Sequence, residues 1–166
     1  YLLQMDDRLS VEDNIKNTFL NPISFLYEEP TNLLKQEVRE PAIYNAVITA
    51  IATGCSKMNE ISTKIDEDTS VCATYIKNLI ALGIVKKESP YGEKSSRRTI
   101  YSIEDNMFRF WYRFVPENTS VISRGATDLA YRRIAPELSS YMGAVFEEIC
   151  RQYLWKLLLD GKCAVN

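Results

Sequence analysis

The chain contains no histidine and no pair of cysteines separated by two residues, although it has four cysteines in 166 residues. Zinc sites of the Cys/His type need such ligands, and Ser-His-Asp or Cys-His hydrolases need an imidazole base. The sequence excludes those site classes. The G-x-x-x-x-G-K-[ST] loop that cradles nucleotide phosphates is also missing, so this chain does not hold ATP by that loop. We therefore expect no catalytic residue, no metal and no cofactor within it.

Long apolar runs are missing as well. No stretch approaches the roughly 18 apolar residues of a membrane-spanning helix, and the N-terminus lacks a basic segment followed by an apolar one. We therefore expect no membrane partner and a cytoplasmic location. Cys72 and Cys150 fall on predicted apolar helix faces, where a reduced, buried thiol is the ordinary state. The chain begins at Tyr1 rather than at methionine, so we expect it to be a fragment.

An overall excess of positive charge is absent too, because the formal net charge is -2. Any nucleic-acid site must therefore be a local patch. One stretch, Ile84 to Tyr101, carries five basic and two acidic side chains, a local charge of +3. Its charged residues are Lys86, Lys87, Lys94, Arg97 and Arg98 against Glu88 and Glu93.

The most informative segment of the sequence runs from Thr69 to Val85. Apolar residues recur there at the i, i+3, i+4, i+7 spacing that places one buried stripe on a helix. The stripe consists of Cys72, Tyr75, Ile76, Leu79 and Ile80. The opposite face is small and polar and consists of Ser70, Ala73, Thr74, Lys77 and Ala81. Gly83 then ends the helix, and a short strand-like segment follows.

The flanking elements complete the pattern of a winged helix-turn-helix. One helix is predicted from Pro41 to Gly54, and a second is predicted to start at Ser56 as its cap. After the central helix, residues 84–88 and 99–103 are rich in β-branched and aromatic residues and predict a hairpin with a long tip. The predicted fold is mainly α, with a winged helix at 41–103 between helical segments at 1–40 and 104–166.

Capping signals and prolines set the other predicted boundaries on the N-terminal side. Ser10 is expected to cap a helix that reaches about Leu20, with Asp13 answering from the third position. Asn21-Pro22 is expected to open the next helix. Pro30 should split that helix into two short pieces, because proline removes an intrahelical hydrogen bond.

On the C-terminal side, Asp105 should cap an aromatic helix that Pro116 ends. Its rings are spaced around the whole helix, which favours burial in the core over stacking on nucleic-acid bases. Residues 117–137 are predicted to be looser, with at most a helical turn before Pro136. The last segment keeps an apolar stripe until Gly161, made of Met142, Phe146, Ile149, Cys150, Tyr153, Leu154, Leu157 and Leu158.

Four stretches together resemble the archaeal-type P-loop ATPases of the signal-transducing NTPase group, in the part that follows the nucleotide-binding core. They cover most of the chain: F-L-Y-E-E-P-T-N-L-L-K-Q-E-V-R-E-P-A-I-Y-N-A-V-I-T-A-I-A-T-G at 25–54, Y-I-K-N-L-I-A-L-G-I-V at 75–85, F-R-F-W-Y-R-F-V at 108–115, and Y-M-G-A-V-F-E-E-I-C-R-Q-Y-L at 141–154.

The resemblance implies a helical lid at 1–40, a winged helix at 41–103, and at 104–166 the start of a C-terminal domain similar to PD-(D/E)XK nucleases. It also implies a parent protein that binds ATP and magnesium. Glu147 matches the helical glutamate of that family. It cannot assemble a metal site alone, because such a site needs several oxygen ligands, and no E-x-K strand follows it here.

Two functions stay open at this stage. The winged helix could bind double-stranded DNA through Ser70, Thr74, Lys77 and Asn78 on the central helix and Lys94, Arg97 and Arg98 on the hairpin tip. Alternatively, it is a protein-interaction or autoinhibitory module that docks on its own ATPase core or on another protein. The acidic turn Asp66-Glu67-Asp68 argues against tight DNA binding, since it repels phosphate. Three adjacent carboxylates without the glycine and terminal glutamate of a calcium loop are a weak signal for a cation site.

Overall fold

The computed structural model describes residues 2–89 and 99–162 and is built mainly of helices. After a short 3₁₀ turn at Leu2–Gln4, the elements follow in the order α1 (Val11–Thr18), α2 (Phe25–Glu37), α3 (Pro41–Ala52), α4 (Met58–Ile65), α5 (Thr69–Ala81), β1 (Val85–Glu88), β2 (Ile100–Ile103), α6 (Asn106–Ile122) and α7 (Thr127–Leu159). The predicted fold class, mainly α with a three-helix unit and a hairpin, is confirmed.

Helices α3, α4 and α5 with the antiparallel pair β1 and β2 form the winged helix. In the hairpin, Val85 lies opposite Ile103 and Glu88 lies opposite Ile100. The backbone N–H of Tyr101 also donates to the carbonyl of Ser56 at 2.7 Å, which fastens β2 to the turn between α3 and α4. The base of the wing is thus held by backbone bonds on both edges of β2, which fix its position relative to the turn between α3 and α4.

Helix α6 lies at the centre of the molecule, as its all-round aromatic pattern predicts. Nine of its residues are buried. Trp111 donates its indole N–H to the carbonyl of Tyr27 in α2 at 2.8 Å, and the Tyr112 hydroxyl donates to Asn45 Oδ1 in α3 at 2.5 Å. Phe110 packs against Phe19 with ring centroids 4.6 Å apart. One continuous core therefore links all three predicted segments, while their division into domains stays a prediction.

Three prolines lie inside helices, and the boundaries predicted from them are wrong. Helix α2 runs unbroken through Pro30, α6 continues past Pro116 to Ile122, and α7 begins at Thr127 and runs through Pro136. A proline in a helix interior costs about 3 kcal/mol, because it removes one hydrogen bond and crowds the preceding turn. Packing on both sides of each proline must offset this cost, and a local rule has no knowledge of that packing.

The turn around Pro116 shows how the helix is maintained. Beyond the proline, Asn118 and Ile122 are buried, and the Asn118 side chain donates to the carbonyl of Phe114 at 2.8 Å. The Thr119 hydroxyl donates to the carbonyl of Pro116 at 3.0 Å. Neither bond reaches the carbonyl of Tyr112, which loses its intrahelical donor at Pro116, so buried contacts are what hold the last turns against the core.

Some of the helix starts predicted from capping residues are confirmed, and others are wrong. The Ser10 hydroxyl accepts from the backbone N–H of Asp13, as predicted. The Asn21-Pro22 start is wrong, because α2 begins after Ser24 and the Ser24 N–H donates to the carbonyl of Asn21 in a turn. The Ser56 cap is also wrong, since Lys57 is the residue before α4 and its N–H donates to the Glu60 side chain.

Helix α7 changes character along its length. Its first half packs on α1 and α6 through buried Ala130 and Ile134, whereas Val145 is its last buried residue. From Met142 onward most apolar side chains point to solvent. Within the described residues, none of the helices combines the length and the hydrophobicity that crossing a bilayer requires.

Candidate nucleic-acid interface

The inner face of α5 packs against the other elements of the winged helix. Cys72, Ile76 and Leu79 are buried, in agreement with the predicted stripe. Ile80 does not belong to that stripe, because 36% of its surface is exposed, and Tyr75 is only half buried. Gly83, with φ of 71°, then turns the chain into β1 through a conformation that favours glycine.

The outward face of α5 is the part that could meet DNA. Ser70, Thr74 and Lys77 are all exposed along one side of the helix, as predicted. The Thr74 hydroxyl donates to the carbonyl of Ser70 at 3.3 Å, so its lone pairs remain available to a partner. Such small polar side chains allow a helix to approach the edges of base pairs closely.

Asn78 differs from the other predicted contact residues. Its side-chain amide donates to the Tyr44 hydroxyl of α3 at 2.7 Å. This bond turns Asn78 towards α3 and away from the side occupied by Lys77. Ser70, Thr74 and Lys77 thus share one exposed side of α5, whereas Asn78, which is also exposed, has its amide engaged by α3.

The basic residues of the hairpin are only partly described. Lys94, Arg97 and Arg98, which were predicted to contact DNA, lie outside the described residues. Lys87 is exposed on β1. Lys86 is occupied by carboxylates instead, since its Nζ lies 3.0 Å from Glu88 and 3.2 Å from Glu148 of α7.

The ion pairs of Lys86 have an electrostatic cost for DNA binding. Partial burial by itself lowers the pKa of Lys86, but its bonds to Glu88 and Glu148 outweigh this effect, so the net pKa is raised. The lysine stays charged, but the neighbouring carboxylates neutralise its charge. Since 62 residues separate Lys86 from Glu148, no local sequence signal could have indicated this pair.

The start of α5 carries the opposite charge. Asp66, Glu67 and Asp68 are all exposed, and Asp66 takes a left-handed backbone conformation with φ of 56°. A helix N-terminus ordinarily attracts phosphate. Here three carboxylates lie at that end of the helix and repel phosphate. In the part of the winged helix that the structure describes, the exposed cations are Lys57, Lys64, Lys77 and Lys87.

At the N-terminus of α4, a side chain of the same helix accepts hydrogen bonds from two backbone N–H groups. The Glu60 carboxylate accepts the backbone N–H groups of Ser56 at 2.9 Å and Lys57 at 3.1 Å. These two bonds hold the pKa of Glu60 below its ordinary value. The N–H groups of the two residues that precede this helix are thus already paired.

Acidic side chains and the Cys72 thiol are the groups that could bind a metal ion or act as a nucleophile. In the described ranges, no three His, Cys, Asp or Glu side chains are grouped so that they could hold a metal ion. Glu147 pairs with Arg151 at 3.2 Å. Burial raises the pKa of the Cys72 thiol, which suits a packed side chain better than a reactive one.

Part of the chain is similar to a known protein family. Residues 111–166 match the DUF234 family model, described as archaea bacterial proteins of unknown function. An uncharacterized protein of Methanocaldococcus jannaschii is 33% identical over 135 residues, which is 81% of this chain. The chain spans 30% of the length of that relative.

Two solved structures show a low similarity to the chain. The PcaV transcriptional regulator from Streptomyces coelicolor, in complex with its natural ligand, has a TM-score of 0.39 and 18% identity, covering 77% of this chain and 86% of its own. A MarR family regulator from Neisseria meningitidis has a TM-score of 0.40 and 16% identity, covering 76% and 90%. The winged-helix assignment rests on the order and pairing of α3, α4, α5, β1 and β2.

Proposed function

We propose that the winged helix is a weak, salt-sensitive binder of double-stranded DNA within a longer, ATP-binding protein, and that this chain itself is not catalytic. The observation that carries the proposal is the outward face of α5. Ser70, Thr74 and Lys77 lie exposed on one side of a helix whose inner residues, Cys72, Ile76 and Leu79, are buried. That arrangement is what a recognition helix requires.

The hairpin supports the same function. Its base is fixed beside the α3–α4 turn, and Lys87 is exposed on β1. The sequence between the two strands adds Lys94, Arg97 and Arg98. Cations on a wing contact phosphates and position a protein on the duplex without reading its sequence.

The acidic turn and the ion pairs of Lys86 limit the expected strength of DNA binding. With about three phosphates neutralised, the logarithm of the binding constant should fall with the logarithm of salt concentration at a slope near -3. A slope of that size corresponds to a loss of roughly 50-fold in affinity between about 50 and 200 mM salt. The proposal therefore predicts clear binding only at low ionic strength.

Fluorescence anisotropy with a labelled duplex tests the proposal. Lys77→Ala should weaken binding about three- to tenfold and make the salt slope shallower by about 1. The matched control is Lys35→Ala, which removes the same charge from the exposed surface of α2. No binding by the unaltered protein at low salt rejects DNA binding, and equal losses in the two variants reject α5 as the contact surface.

The ATP-binding parent is proposed from the sequence resemblance, and the length of the Methanocaldococcus relative leaves room for it. ATP and magnesium would then be held outside this chain. Sequencing the complete reading frame tests this part. A frame without a G-x-x-x-x-G-K-[ST] segment contradicts the ATPase parentage, and a downstream E-x-K strand would instead support a nuclease-like domain.

A second candidate function, docking on another part of the same polypeptide, is favoured by the distal half of α7. Its exposed apolar residues are Met142, Phe146, Ile149, Tyr153, Leu154, Trp155 and Leu159. Exposed apolar surface of this extent marks an interaction surface in most proteins. If the chain is a protein-interaction or autoinhibitory module, its ATPase core would cover this surface.

Binding in trans tests the docking function. The remainder of the encoded polypeptide, produced separately, should bind this chain, and its ATP turnover should change when the chain is added. Phe146→Asp together with Trp155→Asp should weaken binding at least tenfold, since central aromatic residues dominate interface energies. Lys162→Asp, an exposed change just beyond α7, is the control. Unchanged affinity in the double variant contradicts docking through α7.

A further inference from the structure

A groove on the other flank of α5 combines aromatic walls with negative charge. It lies between the segment Glu37–Glu40, which joins α2 to α3, and the C-terminal half of α5, and it has a volume of about 500 Å³. Tyr44 and Tyr75 form its aromatic wall, with ring centroids 4.8 Å apart and planes at 85°. Ser70, Thr74 and Lys77 do not line this groove, although Ala81 of the same helix face does.

The aromatic wall is fixed before any ligand arrives. The Tyr75 hydroxyl donates to the Glu40 carboxylate at 2.7 Å, and the Tyr44 hydroxyl accepts from Asn78 at 2.7 Å. Both rings are thus held by bonds that cross from α5 to the α2–α3 segment and to α3. A preformed wall reduces the entropy that a binding partner must lose.

The electrostatics of the groove favour a cation. Glu37 and Glu40 are exposed at its rim, against one cation, Arg39, among the lining residues. The C-terminal ends of α2 and α5 also meet here, and helix C-termini carry partial negative charge. The Glu40 carboxylate, with burial and further negative neighbours, raises the pKa of Tyr75 to about 12, which reflects the same negative potential.

The groove also has an apolar component that the fold does not use. Leu82 is 38% exposed at the end of α5, and Ala81 beside it is exposed. A second cavity of about 460 Å³ continues from these residues towards half-buried Leu33 and Ile84. Aliphatic side chains of a partner would find contacts along this extension, next to the carboxylates.

We propose that this groove binds a basic, partly apolar segment of a protein partner, with an arginine or lysine placed against Tyr44 and Tyr75 and paired with Glu37 and Glu40. A guanidinium fits both demands, because it stacks on aromatic rings and pairs with carboxylates in a forked geometry. Phosphate is repelled by the same charges. The groove and the DNA-facing side of α5 therefore serve partners of opposite charge, and the proposal does not depend on DNA binding.

A labelled synthetic peptide of repeating Arg-Leu-Leu-Arg units tests the proposal by fluorescence anisotropy at low salt. The protein should bind it, and should not bind the peptide in which glutamate replaces arginine. Glu37→Gln with Glu40→Gln should weaken peptide binding about five- to tenfold, on the scale of two partly exposed charge pairs. The matched control, Glu28→Gln with Glu117→Gln, changes the net charge equally at two exposed positions outside this groove.

Three results overturn the proposal: no binding of the arginine peptide, equal loss in the groove and control variants, or unchanged affinity in the groove variant. Duplex DNA serves as the second ligand. Its affinity should stay equal or rise slightly when Glu37 and Glu40 are neutralised, since repulsion is removed. A fall in DNA affinity would place DNA in the groove and contradict the cation assignment, whereas absent DNA binding would reject only the proposed function.

Discussion

The winged helix buries the apolar side chains of its helices, whereas the distal half of α7 exposes its own. In the winged unit, Leu79 of α5 is fully buried, while Leu154 of α7 is 58% exposed. Both leucines lie on helices with the same apolar spacing. The spacing shows which residues share a face, and whether that face is covered depends on what packs against it.

The two regions also differ in how they are fastened to the rest of the molecule. The winged unit is held by the core around α6 and by backbone bonds at the wing. Beyond Val145, a direct tie between α7 and the winged unit is the ion pair of Glu148 with Lys86. An ion pair at partly exposed positions contributes far less than a buried apolar contact. Hydrogen exchange should therefore be faster in residues 146–159 than in α5.

The largest expected effect comes from removing the same side chain in both regions. Leu79→Ala should lower the free energy of unfolding by about 2 to 5 kcal/mol, because it leaves a cavity in the core. Leu154→Ala should change it by less than about 0.5 kcal/mol, because its side chain is already in water. Urea unfolding followed by circular dichroism measures both. Similar losses in the two variants would show that the distal half of α7 is covered in solution.

A smaller effect is expected from removing one hydroxyl. Tyr112 is 1% exposed and donates to Asn45, so Tyr112→Phe leaves an acceptor without its donor and should cost about 1 to 3 kcal/mol. Tyr153→Phe, on the exposed stripe of α7, should be neutral within about 0.5 kcal/mol. Thermal unfolding of the two variants provides the comparison. A neutral Tyr112→Phe would mean that water replaces the lost donor.

The tie between the two regions should be weaker still. A double-mutant cycle with Lys86→Gln and Glu148→Gln should give a coupling energy of about 0.5 to 1 kcal/mol, falling at high salt. The corresponding cycle of Lys86→Gln with Glu147→Gln serves as the control, because Glu147 pairs with Arg151 instead. Equal coupling in both cycles would indicate a diffuse electrostatic effect rather than a specific pair.

The smallest effect concerns pH. The folded-state pKa of Tyr75 is about 12, above the usual value of about 10 for a tyrosine. The stability that this difference contributes is therefore fully present below pH 10 and lost as pH rises through 12. In an ultraviolet titration, Tyr75→Phe should remove one of the late-ionising tyrosines, and Glu40→Gln should move one to lower pH. The exposed-site variant Tyr153→Phe should leave the late-ionising group unchanged.

Much of the fold could be predicted because it rests on local patterns. The apolar spacing around Cys72 and Leu79 defined α5, the β-branched runs defined β1 and β2, and Ser10 marked the start of α1 correctly. The errors came from rules that act on one residue at a time. Pro30, Pro116 and Pro136 each lower helix stability locally, but contacts from distant parts of the chain outweigh that penalty.

The candidate site was predicted less completely. The exposed positions of Ser70, Thr74 and Lys77 follow from helical spacing alone, whereas the bonds of Asn78 to Tyr44 and of Lys86 to Glu148 join residues far apart in sequence. For the same reason the sequence did not indicate the groove beside Tyr75. Pairings between such distant residues exist only once the helices have packed.

By itself, the sequence determined the class of fold, the polar face of α5 and the exclusion of histidine-based chemistry, because residue types and their periodicity are local properties. Tertiary structure alone decided which of the predicted polar residues are available to a partner, which cations are neutralised, and which apolar stripe is covered. Those outcomes depend on distances between elements, and the free energy of packing sets those distances.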